Sequence, residues 1–256
     1  MIIKGLHLIP VVLFIVLPST FVGTYIYAVM KGHVEPYFPY ISDAGTRAPE
    51  SCVFGQLINM CSVMLAISVY VRYCHVYQYC VECNFPSKVL TLNKIGVWLG
   101  LLSCLGLSLV ANFQETNVFA IHIFGAFLCF GLGTIYFWLQ AICSYHMTPL
   151  VNTPYVSNLR AVLATICTIF FVIMAGCGIT AHLRFHGQDP RKWYPTDGGW
   201  VLHVISTTSE WIIAICFCSF ILSFSNEFRD ITIHHPQIQL NRPQMLIENT
   251  NDEPIS

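Results

Sequence analysis

The chain has 256 residues, 55% hydrophobic and 10% charged, with a mean hydropathy of +0.62 and a formal charge of −1. Soluble domains carry about 25% charged residues, so this chain has too few to coat a water-facing surface. Lys+Arg 12 against Asp+Glu 13 gives no basic field, which excludes the usual footprint of nucleic-acid binding.

The predicted elements are membrane spans, each needing about 20 mostly apolar residues. In chain order they are Leu6–Met30, Cys52–Val71, Ile95–Phe113, Val118–Ser144, Ala161–Leu183 and Trp200–Phe224, and only the last contains a charge, Glu210. The first segment is too long for a signal-peptide core and ends without a small-x-small cleavage site, so it reads as a retained helix. Pro10 and Pro18 within it are tolerable where neighbouring helices satisfy the freed carbonyls. The expected fold is therefore an all-α, six-helix transmembrane bundle over residues 1–225, followed by a polar tail over 226–256 that reads as disordered.

An even number of spans puts both termini on one side. That side would carry Lys4, Arg72, Lys88, Lys94, Arg160, Arg229 and Arg242, against Lys31, Arg47, Arg184, Arg191 and Lys192 opposite. The excess favours cytosolic termini. The larger far-side loops, Lys31–Ser51 and Arg184–Gly199, are rich in Pro, Gly and Asp, as turns are. Tyr37, Phe38, Tyr40, Trp193, Tyr194 and Trp200 lie in or beside them and suit an interfacial aromatic belt. Most of the 12 cysteines fall inside spans and read as packing residues. Cys74, Cys80, Cys83 and Cys143 lie near the cytosolic boundary, where palmitoylation is possible. Cys80-Val-Glu-Cys83 lacks the second ligand pair of a structural zinc site.

Ionisable groups inside a membrane are costly and tend to mark function. Glu210 sits about 15 Å from the Trp200 end of its helix, with His203 and Thr207 on the same face. Gln56, Asn59, Asn112 and His122 lie at comparable depth in other spans. These seven form a candidate intramembrane polar cluster, in which Glu210 is expected to bond to one of Gln56, Asn59, Asn112 or His122. The competing reading is interhelical packing glue. Small or short residues recur every fourth position: Gly96, Gly100, Cys104, Ser108 and Asn112; then Gly125, Cys129 and Gly133; then Ala164, Thr168, Val172 and Gly176. They suit close helix contacts within the bundle.

No Walker A, G-x-S-x-G or H-E-x-x-H motif is present. Haem would need facing axial ligands, which the span histidines do not supply. No catalytic residue, metal ligand set or cofactor is expected. A transporter reading rests on Glu210 alone, without broken helices or inverted repeats.

Several stretches carry a family resemblance: Pro39-Tyr-Ile-Ser-Asp-Ala-Gly-Thr46, Pro49-Glu50, Phe54-Gly55, Tyr70-Val-Arg-Tyr73, Leu102 to Ser108, Val110-Ala-Asn-Phe-Gln114, Gln140 to Tyr145, Leu202-His203 and Glu210-Trp211. The chain resembles the damage-regulated autophagy modulator (DRAM) family of the Frag/DRAM/Sfk group, from about residue 5 to 230. The resemblance implies a non-enzymatic protein of lysosomal and late endosomal membranes. It implies positive regulation of autophagy, a link to apoptosis, and action through membrane or autophagy-machinery proteins. Other branches of the group are linked to lipid organisation, which keeps a lipid-organising or transport role as the alternative. Leu246-Ile247 resembles a dileucine sorting signal, but Arg242 stands where its acidic residue is expected.

Overall fold

A computed structural model describes residues 4–37, 39–84 and 86–233. The candidate sorting pair Leu246 and Ile247, the rest of the predicted tail beyond Ile233, and Phe38 lie outside the described residues. Six helices are long and apolar enough to cross a membrane. They are α1 (Leu8–Met30), α2 (Glu50–Glu82), α3 (Ser87–Asn112), α4 (Phe119–His146), α5 (Pro154–Arg184) and α6 (Trp200–Leu222), and a short α7 (Ser225–Phe228) follows. The long stretches of apolar sequence fold this way because lipid leaves every backbone polar group to be satisfied within its own segment.

Several helices outrun the predicted segments. α2 continues from Val71 to Glu82 and α5 begins at Pro154 rather than Ala161. Hydropathy stops at the first charge, whereas a helix stops only where its backbone pairing fails. Proline at the first position of α5, after the Thr153 cap whose hydroxyl accepts from the Val156 N–H, starts that helix early.

The helices form a ring. Each packs against the next in chain order, and α1 closes the circle on α6. The end where α1 begins and α6 stops is called proximal here, and the other distal. Ser225 donates to the His7 carbonyl at 3.2 Å and joins the two proximal ends. α3 and α4 cross most closely at Gly106 and Gly125. A Cβ on Gly106 would stand 2.5 Å from the Gly125 carbonyl oxygen. Thus the small-residue reading holds for this pair of helices, although Gly106 lies off the predicted stripe. On α5, Val172 is exposed and a Cβ on Gly176 would meet open space.

α4 is α-helical over Phe119–Ala126 and Gly133–His146, with a π-helical stretch, Phe127–Leu132, between them. The Ser103 hydroxyl donates to the Cys129 carbonyl at 2.8 Å inside this stretch. α5 packs along Gly133–His146, then separates from the distal half of α4. The π-turn and this divergence mark the same part of the molecule, and π-turns recur at functional sites.

Candidate functional site

The loop between α1 and α2 does not lie on the surface. Ile41, Ser42, Asp43, Ala44, Gly45 and Thr46 are all buried. This stretch dips into the distal mouth of the ring and stops it like a plug. Non-helical backbone at membrane depth must be satisfied by protein, and here it is. The Ile41 N–H donates to Glu210 Oε2 at 2.7 Å, and Trp211 Nε1 donates to the Pro39 carbonyl at 3.0 Å. Within the loop, Tyr40 N–H donates to Asp43 Oδ2 at 3.0 Å, and a 3-10 turn over Asp43–Gly45 pairs the rest. The Tyr40 hydroxyl donates to Ser206 Oγ at 2.7 Å, and Ser206 donates in turn to the Met174 carbonyl.

Glu210 therefore bonds to a backbone amide of the plug, not to Gln56, Asn59, Asn112 or His122 as the sequence suggested. The expectation failed because a loop rich in turn-forming residues reads as a surface segment. The seven candidates divide. His122, His203, Thr207 and Glu210 are buried at the distal end. His122 Nδ1 donates to the Phe113 carbonyl at 2.7 Å and Nε2 faces the Ser42 hydroxyl at 3.1 Å. The His203 ring stacks on Trp193 and meets Tyr40 edge-on. Thr207 bonds to the Val204 carbonyl of its own helix. Asn59 and Asn112 instead form a separate ladder between α2 and α3, with Asn59 Nδ2 donating to Asn112 Oδ1 at 3.0 Å and Ser108 Oγ to Asn59 Oδ1 at 2.7 Å. Gln56 is exposed on the outside of α2.

Two acids that the sequence did not single out complete the distal end. Asp43 on the plug and Glu115 in the α3–α4 loop lie near enough to act on each other's charge. Burial, then the neighbouring acids Glu115 and Glu210, raises the Asp43 pKa well above its ordinary value. Burial likewise raises that of Glu115. Arg191 lies near enough to oppose the Asp43 shift. It is engaged by Asp189, with Nε and Nη2 each 2.9 Å from a carboxylate oxygen, and this pairing holds the Asp189 pKa below its ordinary value.

A crevice of about 440 Å³ lies between the distal halves of α4 and α5. Its distal end is polar, with Tyr40, Glu115, His122, His182, His203 and Glu210. Toward the membrane middle it is apolar. The Phe119 and His182 rings stack across its distal end at 5.1 Å. Ile123, Phe127, Ile179 and Leu183 border it and are exposed on the outer face of the ring, so it opens sideways. A smaller cavity of about 80 Å³ in the ring interior shares Ser42, His122, Ala126, Phe130 and Glu210 with it.

The proximal end holds a different constellation. Arg72 and Arg160 are each 0% exposed. Glu227 on α7 pairs with Arg72 and, at 2.5 Å, with Arg160. Arg72 also donates to Gln140 at 3.0 Å and Ser144 at 3.1 Å, and Arg160 to Ser144 at 2.7 Å and Ser223 at 2.9 Å. Both guanidinium groups lie over the Phe224 ring, at 5.0 and 4.5 Å. The sequence placed both arginines at the boundary as loop charges. Their signal was the absence of Gly or Pro after Val71 until Pro86, which lets α2 carry Arg72 inside the bundle.

The cysteine and aromatic expectations are corrected in part. Cys80 and Cys143 are buried, packed with Val76, Val89 and Met147, which leaves no room for a lipid anchor; Cys74 and Cys83 are exposed. Trp193 is buried against Phe185 and His203 and is no belt residue. Its Nε1 donates to the Gly198 carbonyl at 2.7 Å. Gly198 has φ +78°, and a Cβ there would stand 2.3 Å from the Arg184 carbonyl oxygen, so this turn into α6 requires glycine. Among the described residues, no three His, Cys, Asp or Glu side chains are grouped as a metal site needs.

A ring of apolar helices with a re-entrant plug and a lateral crevice defines a polytopic α-helical membrane protein. The chain matches the Frag1/DRAM/Sfk1/Cwh43P N-terminal domain over residues 5–231, and it belongs to that family. Human DNA damage-regulated autophagy modulator protein 2 is 39% identical over 256 residues, 99% of this chain and 94% of its own. The Bos taurus protein of the same name is 41% identical over 233 residues, covering 90% and 86%. Human DNA damage-regulated autophagy modulator protein 1 is 34% identical over 231 residues, covering 90% and 94%. No solved structure matches.

Proposed function

We propose that the chain is a lysosomal and late endosomal membrane protein that promotes autophagy, with a link to apoptosis. It works without catalysis, through membrane or autophagy-machinery proteins. The observation that carries this reading is similarity along almost the whole chain to relatives named autophagy modulators. Both termini face the cytosol in this reading, supported by the seven Lys and Arg assigned to that side against five opposite. Arg72 and Arg160 are buried in the finished fold, but they still carry their charge while the spans insert.

The test is autophagic flux in cells lacking the protein, with and without re-expression. Flux falls without it and returns with it. Unchanged flux in both, with the protein correctly placed, overturns the reading. Tags at Met1 and Ser256 are reached after permeabilising the plasma membrane alone; protease protection of either in intact lysosomes reverses the orientation. Replacing Leu246 and Ile247 by Ala slows lysosomal delivery in part. Complete arrest at the cell surface would make the pair the dominant signal, and unchanged delivery would remove it from sorting.

A lipid-organising role is the second reading, favoured by the crevice between α4 and α5.

A further inference from the structure

We propose that the α4–α5 crevice binds a single-chain lipid with a protonated amine headgroup. The chain lies against Ala126, Phe127, Phe130, Phe171 and Met174, and the ammonium faces Glu115. This inference rests on the second reading above and is independent of the first.

The shape argues for an amphiphile. The crevice is open sideways through exposed apolar residues, the route by which a molecule dissolved in lipid would arrive. Glu115, His182 and His203 set most of its polar groups at the distal end, and the deeper Glu210 is already bonded to the Ile41 N–H, so an occupant needs one polar end and one apolar end. At about 440 Å³ it falls low in the range of roughly 300–1,000 Å³ for ligand pockets, which suits one chain rather than two.

The charge argues for an amine. Among the described residues no lysine or arginine lines the crevice, while Glu115 and Glu210 do, and Asp43 lies near Glu115. A phosphate or carboxylate headgroup would meet these acids directly, and like charges brought together at an interface are strongly unfavourable. An ammonium beside Glu115 would favour its ionised form. A second observation points to an absent partner. His203 lines the crevice, is 4% exposed, is held only by rings, and has no hydrogen-bond partner for its buried Nδ1 among the described residues. Buried polar groups are rarely left so.

The test is photolabelling of the purified full chain in phosphatidylcholine nanodiscs. Three probes share one diazirine-bearing C18 chain and differ in the head: amine, alcohol or carboxylic acid. The amine labels α4 and α5 at the crevice about tenfold more strongly than the acid, a difference of about 1.4 kcal/mol. Unlabelled octadecylamine competes, and butylamine does not. Glu115→Gln lowers amine labelling to the level of the alcohol, and Ala175→Trp, which fills the crevice, removes labelling by all three. Thermal melting checks that each variant is folded, and if Glu115→Gln does not fold, the head-group ratio and Ala175→Trp still decide. Equal labelling by the three heads, labelling spread around the ring, competition by butylamine, or a folded Ala175→Trp that labels normally would each overturn the site. Flux in cells plays no part in this test, so its failure leaves the autophagy reading untouched.

Discussion

At the proximal end two arginines share one glutamate, Arg72 and Arg160 with Glu227. At the distal end three acids, Asp43, Glu115 and Glu210, lie near one another, and no lysine or arginine among the described residues lines the crevice beside them. The proximal charges keep their ionised form by pairing, by hydrogen bonds to Gln140, Ser144 and Ser223, and by the Phe224 ring. Among the distal acids, Asp43 and Glu210 lower their cost by accepting backbone N–H groups. The first arrangement is closed and complete. The second is open to the side and has a place for one more group. Within a single ring, the tightly paired end behaves as a fastening and the acid-rich end as a candidate site.

The sharpest way to break this contrast is at the proximal end. Glu227→Leu leaves two guanidinium groups buried without an anion, and removing one partner of a buried pair costs about 3–5 kcal/mol. Melting in detergent and protein level in cells both fall steeply. If Glu227→Leu melts like the parent, the proximal cluster is not the fastening described here.

Glu210 gives the next largest effect. Glu210→Leu leaves the Ile41 N–H unsatisfied, at about 1–3 kcal/mol. Glu210→Gln keeps an acceptor and melts close to the parent, with autophagic flux retained. A stable, correctly placed Gln variant without activity would show that the carboxylate itself is used, and would favour transport.

Acidity acts on two sets of distal loop groups with opposite sign. Asp43 and Glu115 hold their protons more tightly folded than unfolded, because burial raises both pKa values above 3.8 and 4.5. Their contribution to stability is full below those ordinary values and declines as pH rises through the raised ones. The Asp43–Glu115 pair is therefore firmer in acid. The partly exposed Asp189–Arg191 pair has the opposite sign, since a lowered Asp189 pKa gives stability that is lost as pH falls. Melting temperature measured against pH rises from neutral toward pH 5, and Asp43→Asn with Glu115→Gln flattens that slope. A flat profile in the parent would show that burial does not hold the protons on Asp43 and Glu115.

Asn112→Ala is the mildest change. It removes the two hydrogen bonds that Asn112 exchanges with Asn59 in the outward-facing ladder, each worth about 0.6 kcal/mol in a membrane. A loss as large as that of Glu210→Leu would return Asn112 to the functional cluster.

The six spans were legible because each is declared by its own local hydropathy, a property that needs no knowledge of neighbours. What hydropathy hides is where a charged or turn-rich segment goes once neighbours exist. Arg72 was read as a boundary charge because a cation ends an apolar window, yet the helix continues around it to Glu82. The stretch from Pro39 to Thr46 reads as part of a far-side loop for its Pro, Asp and Gly, although Ile41 and Ala44 are apolar and both are buried. Its burial depends on acceptors and donors from Glu210 and Trp211, about 170 residues away. Seeing Glu210 as costly was possible from its span alone, whereas naming Ile41 as its partner required the fold.

The chain-order ring also has a consequence for synthesis. As successive spans leave the ribosome, each meets a neighbour already made, so most of the circle assembles from contacts local in sequence. The last span is different. α6 and the segment after it carry Glu210 and Trp211 for the plug, Ser223 for Arg160, and Glu227 for both buried arginines. Until that final piece arrives, the nascent protein holds two unmatched cations at one end and an unanchored loop at the other. A product cut short before Trp200 would display both defects within the membrane, where uncompensated charge is costly, and would be recognisable to cellular surveillance as unfinished.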